Sequence, residues 1–188
     1  MQSTESSNAI EGIRATSARL KQLVEEKTTP RNRDEEEIAG YRYVLDLIHE
    51  NYEEIPITPN YILQLHRYFY RFIHKSIGGK YKNGQNQIVS VDADGEEHII
   101  FTPLTPFETP AAVAAICEQY HQMIMSENVD LLVLIPIFIH DFLCIHPSND
   151  GNGRMSRFLT TLLLYRAGYV VGRYVSIEKN CRYKEPLL

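Results

Sequence analysis

The chain has 188 residues, which fits one domain or one domain with a small appendage, and its 44% of hydrophobic residues is enough for a real core. Its formal net charge of −5 at pH 7 excludes a general nucleic-acid binder, so any anion it binds must meet a local cationic site. The longest apolar run, 131–139, is too short to cross a bilayer, and the N-terminus lacks the pattern of a secretory signal. Together with three widely spaced cysteines, these features predict a cytoplasmic protein without a membrane span.

Helical patterns occupy most of the chain. The predicted strands are 88–91 and 96–101, around an Asp-Gly turn. The run 131–145 is apolar on almost every side, which predicts a central buried helix, and Pro147 predicts that this helix ends at its C-terminal histidine. The pattern as a whole predicts an all-α fold with one β-hairpin. The predicted helices, in chain order, are 3–11, 15–27, 34–55, 60–75, 110–125, 131–145 and 154–167.

The densest polar chemistry lies between the last two helices, in the segment HPSNDGNGRMSR at 146–157. Gly151 and Gly153 allow backbone amides to converge at the positive end of a helix, which is a cradle for an anion. Arg154 and Arg157 share one face of the first turn, where each cation is unfavourable by about 0.3–1 kcal/mol. Two misplaced cations beside an anion cradle predict a ligand with more than one phosphate.

Two further residues complete this chemistry. Asp150 would repel phosphate unless a cation lies between them, which predicts Mg²⁺ bound by Asp150. His146 can take a proton from an attacking hydroxyl. Two other interpretations stay open on residue types alone. The loop can be an ordinary polar connection with solvated arginines, or His140, Asp141 and His146 can bind the metal of a phosphohydrolase.

The order His-Pro-x-x-Asp-Gly-Asn-Gly-Arg-x-x-Arg resembles the signature of the Fic family of nucleotidyl transferases. The segment GGKYKNGQNQI, with the hairpin and the proline-rich return, resembles the family's flap at about 80–106. The resemblance implies a Fic-type helical domain over 31–188, with a catalytic loop at 146–154 and a β-hairpin flap over the active site. The chain departs from the family at Ser148, where a bulky apolar residue usually packs the loop onto the core.

The resemblance also implies an activity, the transfer of AMP from ATP to a Ser, Thr or Tyr hydroxyl of a target protein. In that reaction His146 is the general base, and Asp150 binds the Mg²⁺ that bridges the α- and β-phosphates. The remaining residues that the resemblance assigns to ATP are Gly151, Asn152 and Gly153 as the phosphate nest, with the Asn152 side chain on the α-phosphate, and Arg154 and Arg157 on the β- and γ-phosphates.

The segment SSNAIEGI resembles the family's inhibitory helix motif, with Ser7, Glu11 and Gly12 at the matching positions. Residues 1–30 are therefore expected to form an N-terminal inhibitory segment, the arrangement of class II Fic proteins. Glu11 lies at the C-terminal end of a short helix, where the dipole disfavours a carboxylate, and Arg157 is misplaced in the opposite sense. We expect the two to pair, which would withhold Arg157 from the γ-phosphate.

Two other functions stay open beside AMP transfer. The same site can remove AMP from a modified protein, with Glu11 aligning a water molecule, or the domain can be a catalytically silent module that binds nucleotide or protein. An edge of the hairpin can pair with an extended segment of the target by main-chain hydrogen bonds, and the chain itself can be a target. The resemblance adds a homodimer as an option. It leaves the target and the nucleobase open.

Overall fold

The computed structural model describes residues 2–13, 16–25, 28–73, 77–92, 94–126 and 129–170, together with Ser176 and Lys179. The chain divides into two compact units, of which the first comprises 1–79 and 153–188 and the second comprises 80–152. These units do not follow the expected boundary at residue 30, because the N-terminal helices pack on the first long helix. The division into 1–30 and 31–188 stays a prediction.

In the residues that the structure describes, the secondary structure is helical with one antiparallel hairpin, as predicted. The strands β1 (Ile88–Val91) and β2 (Glu97–Phe101) pair with a register shift between Ile88 and Val89. The all-α fold with a β-hairpin is confirmed. The helices within the described residues are α1 (Gln2–Ile10), α2 (Ser17–Val24), α3 (Arg33–Asn51), α4 (Pro59–Phe69), α5 (Thr109–Met125), α6 (Leu131–Ile145) and α7 (Asn152–Arg166).

Aromatic contacts join α3, α4 and α7 in the first unit. The Tyr41 ring of α3 lies 4.4 Å from the Phe158 ring of α7, and Phe158 lies 5.9 Å from the Phe69 ring of α4. All three side chains are fully buried. The predicted apolar face of α3 is confirmed, since Ile38, Tyr41, Val44, Leu45 and Ile48 are buried. This core sets the first turn of α7 beside α3, where charged residues of the two helices meet.

The helix α4 is shorter than the predicted range 60–75, of which residues 74–76 lie outside the described residues. It ends at Phe69, after which the amide of Arg71 donates to the carbonyl of Tyr68 at 3.2 Å. Such three-residue bonds satisfy the last carbonyls of a helix by tightening its final turn, and they end the α-helical ladder.

In the second unit α6 packs on α5, with the rings of Phe138 and Tyr120 5.2 Å apart. The predicted burial of α6 on all sides is wrong, because Leu132, Val133 and Ile137 are 49%, 54% and 51% exposed. An apolar sequence shows that a helix can be buried, but the number of covered faces depends on its neighbours. Among the helices of the described ranges, none is long and apolar enough to cross a bilayer. The cytoplasmic location stays a prediction.

The two cysteines in the described ranges are predicted to differ in reactivity. Burial raises the pKa of the Cys117 thiol to about 12, whereas Cys144 is half-buried. The thiolate is the reactive form, so at pH 8 iodoacetamide should modify Cys117 at least about tenfold more slowly than Cys144. Mass spectrometry of the two peptides over time measures this ratio. In denaturant the two rates should converge, and equal rates in the folded protein would contradict the prediction.

Candidate active site

The helix α6 ends at Ile145 because His146 adopts a left-handed backbone conformation, with φ 51° and ψ 64°. Pro147 disfavours right-handed helical geometry at the residue before it, so the predicted helix end is confirmed. The His146 amide still donates to the carbonyl of Phe142 at 3.0 Å. In the described part of the chain, His146 is the non-glycine residue with a positive φ, a conformation that costs about 1–3 kcal/mol. The surrounding structure must therefore hold it in place.

The environment of His146 favours the neutral imidazole. Burial lowers the pKa of the ring, a hydrogen bond with the Leu143 backbone raises it in part, and the charge of Lys82 lowers it again. Within the described residues, the buried Nδ1 atom of the ring makes no hydrogen bond of good geometry. A ring with a depressed pKa is unprotonated near neutral pH, which is the state a general base requires.

A segment before β1 is tied to the loop that follows α6. Lys82 donates through Nζ to the carbonyl of Ile145 at 2.9 Å and through its amide to the carbonyl of Pro147 at 2.8 Å. The side-chain amide of Asn86 donates to the carbonyl of Ser148 at 2.9 Å. These hydrogen bonds were not predicted from the sequence, although the run of polar residues KNGQN indicates a segment that can make them.

Asn152 closes the same loop from its other end. Its side chain accepts the amide of Ser148 at 2.9 Å and donates to the Ser148 carbonyl at 2.7 Å. Both residues are buried. The loop is therefore anchored by polar contacts at Ser148, where the family usually has an apolar residue. The expected contact of the Asn152 side chain with an α-phosphate stays a prediction, and it would compete with these two bonds.

Asp150 precedes the start of α7 and has an exposed side chain. Its Oδ1 atom accepts the amide of Gly151 at 2.7 Å, and Gly151 has a φ of 80°, which favours glycine. An exposed carboxylate with hard oxygen donors fits Mg²⁺, which binds through one or two carboxylates and keeps most of its water.

The helix α7 begins at Asn152, two positions before the predicted start, so Arg154 lies in its first turn. Arg154 is 3% exposed, and its Nη1 atom pairs with Glu37 of α3. Its guanidinium also lies 4.6 Å from the centre of the Phe69 ring. The predicted role of Arg154 on a phosphate stays a prediction. The structure uses its charge in a buried ion pair, and sequence reasoning missed Glu37 as the partner.

Arg157 meets the predicted inhibitory residues of α1. Its Nε atom donates to the Ser7 hydroxyl at 2.6 Å, and its Nη2 atom donates to the Ser7 carbonyl at 3.3 Å. Nη2 also donates to Glu11 Oε1 at 2.7 Å. The expected pairing of Glu11 with Arg157 is present, and Ser7 shares the same guanidinium.

The end of α1 aims Glu11 at this contact. The amide of Ile13 donates to the carbonyl of Asn8 at 3.0 Å, and the amide of Gly12 donates to the carbonyl of Ala9 at 3.2 Å. With Gly12 at φ 79°, these two bonds form a Schellman turn, which requires a residue that tolerates left-handed geometry. Gly12 thus ends the helix directly after Glu11.

Gly153 makes room for the Glu11 carboxylate. A Cβ atom at position 153 would lie 2.6 Å from Glu11 Oε1 and 3.5 Å from an Arg157 nitrogen. Any larger residue at 153 would have to displace the Glu11 side chain. The glycine expected in the phosphate nest therefore also permits the contact with Glu11.

Residues 56–164 match the model of the Fic/DOC family. The chain belongs to this family. It is 26% identical over 167 residues to a protein adenylyltransferase Fic of Drosophila erecta, a match that covers 85% of this chain and 31% of that protein. A protein adenylyltransferase Fic of Nematostella vectensis is 26% identical over 173 residues, covering 87% of this chain and 37% of that protein. The chain thus spans about a third of the length of these relatives.

Solved structures share the fold. A Fic domain containing signaling protein from Bacteroides thetaiotaomicron superposes with a TM-score of 0.73 at 29% identity, over 86% of this chain and 60% of that one. Fic-1 from C. elegans superposes with a TM-score of 0.70 at 20% identity, over 89% of this chain and 48% of that one, and supports the fold alone.

The match to the Fic/DOC family does not support the alternative in which His140, Asp141 and His146 bind the metal of a phosphohydrolase. In the ranges that the structure describes, His140 and Asp141 do not form a group of three metal ligands with His146. The group of such ligands that does occur is Asp92, Glu96 and His98, all exposed. There Asp92 Oδ2 lies 3.0 Å from His98 Nε2, and Asp92 Oδ1 accepts the amides of Asp94 and Glu96 at 2.9 Å. These contacts close the hairpin turn.

One cavity of the described residues contains none of the predicted site residues. It has a volume of about 900 Å³ and is lined by residues of α3, α4 and the turn after α4, including Tyr43, Arg67 and Arg71. Arg71 lies over the Tyr43 ring, 4.1 Å from its centre.

The buried ion pair of α3 and α7 is predicted to be essential for stability. Replacing Glu37 by Ala leaves Arg154 buried without its partner, which should lower the free energy of unfolding by about 3 kcal/mol. Glu36→Ala, in the same turn, should change it by less than about 0.5 kcal/mol. Urea unfolding monitored by circular dichroism measures both values.

A charge-free double variant identifies the cause of that loss. Glu37→Met with Arg154→Met removes both charges, so it should recover most of the stability that Glu37→Ala loses. Equal stability of Glu37→Ala and the unmodified chain would show that the pair does not support the fold.

Proposed function

We propose that the protein transfers AMP from ATP to a Ser, Thr or Tyr hydroxyl of a target protein, and that Glu11 inhibits this reaction by pairing with Arg157. The observation that carries the proposal is the triple contact of Arg157 with Ser7 and Glu11, in a chain whose sequence carries the intact family signature. Pairing Arg157 with Glu11 can inhibit the protein only if Arg157 binds another anion when Glu11 leaves, and the proposal is that this anion is a phosphate of ATP.

In the proposed reaction His146 accepts the proton of the target hydroxyl. The hydroxyl oxygen forms a bond to the α-phosphorus of ATP, the bond between the α-phosphorus and the bridging oxygen breaks, and pyrophosphate leaves. The depressed pKa of His146 supports its role as the base. Asp150 would hold Mg²⁺, which neutralises charge on the phosphates when bound.

The two signature arginines are proposed to have different tasks. Arg157 lies in the second turn of α7 with part of its side chain exposed, so its guanidinium can bind the γ-phosphate once Glu11 leaves. Arg154 pairs with Glu37, and we propose that it holds the helix start in place in addition to its predicted role on the β- and γ-phosphates. The amides of Gly151 and Gly153 are proposed to bind phosphate oxygens.

The hairpin is proposed to bind an extended segment of the target. Its two strands pair only with each other in the described part of the chain, which leaves an outer edge on each. Val91, Ile99 and Ile100 are 62%, 58% and 66% exposed, so apolar side chains are available beside the free backbone groups. Strand addition would bind main chain with loose reading of sequence.

Release of the brake is predicted to raise AMP transfer. Glu11→Gly frees Arg157 for the γ-phosphate, and a hydrogen bond to a charged group is worth about 1.5–3 kcal/mol, or roughly ten- to hundredfold in rate. Incubation with Mg²⁺ and ATP labelled at the α-phosphate measures label on the chain and on added proteins. Glu5→Ala removes an acid from the same helix without touching Arg157 and should leave the rate unchanged.

Each outcome of that experiment is decisive. If adding His146→Ala to the Glu11→Gly chain abolishes labelling, the result supports His146 as the general base. Equal rates for Glu11→Gly and the unmodified chain would show that Glu11 does not inhibit the transfer. Nucleotide binding without transfer, even in Glu11→Gly, would favour the silent module. Release of AMP from a previously labelled protein would favour the reverse reaction.

The pH dependence of the transfer follows from the base. Because the pKa of His146 is lowered from its ordinary value of 6.5, the unprotonated ring should persist below that pH. Transfer by Glu11→Gly should therefore keep its rate as the pH falls through 6.5 and decline only in more acidic buffer. A plot of kcat/KM against pH tests this, and an acid limb at or above pH 6.5 would contradict it.

A further inference from the structure

Lys82 is a buried lysine that the family signature does not include. It is 3% exposed, and burial lowers the pKa of its ammonium group. A lysine side chain is seldom buried away from water unless its charge is compensated by a polar or charged partner. The compensation here is the carbonyl of Ile145, one of the last carbonyls of α6, where the negative end of the helix dipole favours a cation.

The contacts of Lys82 lie on both sides of His146. The side chain binds the carbonyl of the residue before the histidine at 2.9 Å, and the amide binds the carbonyl of the residue after it at 2.8 Å. The first bond holds the peptide plane between Ile145 and His146, which adjoins the left-handed residue, and the second holds the plane between Pro147 and Ser148, one residue further along. Because that conformation is unfavourable for histidine, the ring direction depends on what holds the neighbouring planes.

We propose that Lys82 is the positioning residue of His146, clamping the backbone on either side of the base so that the ring stays directed at the target hydroxyl. The inference rests on the proposed role of His146. Lys82 transfers no proton and touches no substrate in this role. It acts through geometry and through its charge, which the His146 ring senses from the neighbouring segment.

The clamp has a second line of support in its surroundings. Asn86 binds the next carbonyl, that of Ser148, and Asn149 pairs with Asn83 through side-chain atoms 3.0 Å apart. Successive carbonyls of the loop are thus bound by one segment. Lys82 is the member of this segment that flanks the base, and it is also the buried cation of the set.

The test compares Lys82→Met with Lys82→Arg, both in the Glu11→Gly chain. Lys82→Met should lower kcat for AMP transfer by about tenfold to hundredfold and leave KM for ATP within about twofold, because misplacing a reacting group costs rate. Lys82→Arg retains a cation and donors and should recover part of kcat. Lys80→Met removes an exposed cation from the same segment and should leave kcat unchanged.

The titration of His146 separates positioning from loss of fold. Removing the Lys82 charge should raise the pKa of the ring, because that charge lowers it, and should move the acid limb of kcat/KM to higher pH. NMR of ¹³C-labelled histidine measures the pKa directly, with His146→Ala assigning the signal. The measurement needs no turnover, so it decides the role of Lys82 even if Glu11→Gly transfers no AMP and the proposed function fails.

Three results would overturn the inference. The first is that Lys82→Met leaves both kcat and the His146 titration unchanged. The second is that Lys82→Met raises KM for ATP and retains kcat, which would make Lys82 a phosphate ligand. If Lys82→Met does not fold, ¹⁵N NMR of the unmodified chain replaces it. A Lys82 ammonium signal that exchanges rapidly with water would exclude the clamp, whereas a protected signal supports it.

Discussion

Two arginines near the start of α7, Arg154 in its first turn and Arg157 in its second, impose the charge balance on which the first unit depends. Both lie toward the positive end of the helix dipole, where a nearby anion is stabilising. Arg154 meets Glu37, and both side chains are buried. Arg157 meets Glu11 with 19% and 32% of the two side chains exposed. A buried pair is expensive to break, whereas a partly solvated one can exchange its anion, so one helix start combines a fixed partner with a replaceable one.

The loop after α6 is governed by a different constraint, the left-handed backbone of its histidine. An apolar residue at position 148 would anchor such a loop by burial, which is strong but has no direction. Ser148 instead uses its amide and carbonyl, which bind Asn152 and Asn86. Hydrogen bonds depend on angle, so they fix orientation as well as position. The small side chain at 148 is thereby compatible with an ordered loop.

The parts of the molecule that could be predicted from sequence are those with a local cause or a match to a family motif. Pro147 ends α6 because it restricts the residue before it. The pairing of Glu11 with Arg157, which are 146 residues apart, has no local cause and was predicted through the resemblance of SSNAIEGI to the family's inhibitory motif. Glu37 and Lys82 could be found in neither way, because the resemblance assigns them no role and their burial depends on tertiary packing. The exposed face of α6 escaped prediction for the same reason, since composition does not show which neighbours are present.

The contact of Ser7 and Glu11 with Arg157 depends on the number of residues between Ser7 and Glu11. Ser7 and Glu11 are one helical turn apart, so both reach the same guanidinium only while the segment between them is helical and has its present number of residues. Adding or removing one residue there would rotate the carboxylate by about 100° around the helix axis. The contact with Arg157 therefore depends on the helical phase of Ser7 and Glu11, so an insertion between them would abolish it although all three side chains are retained.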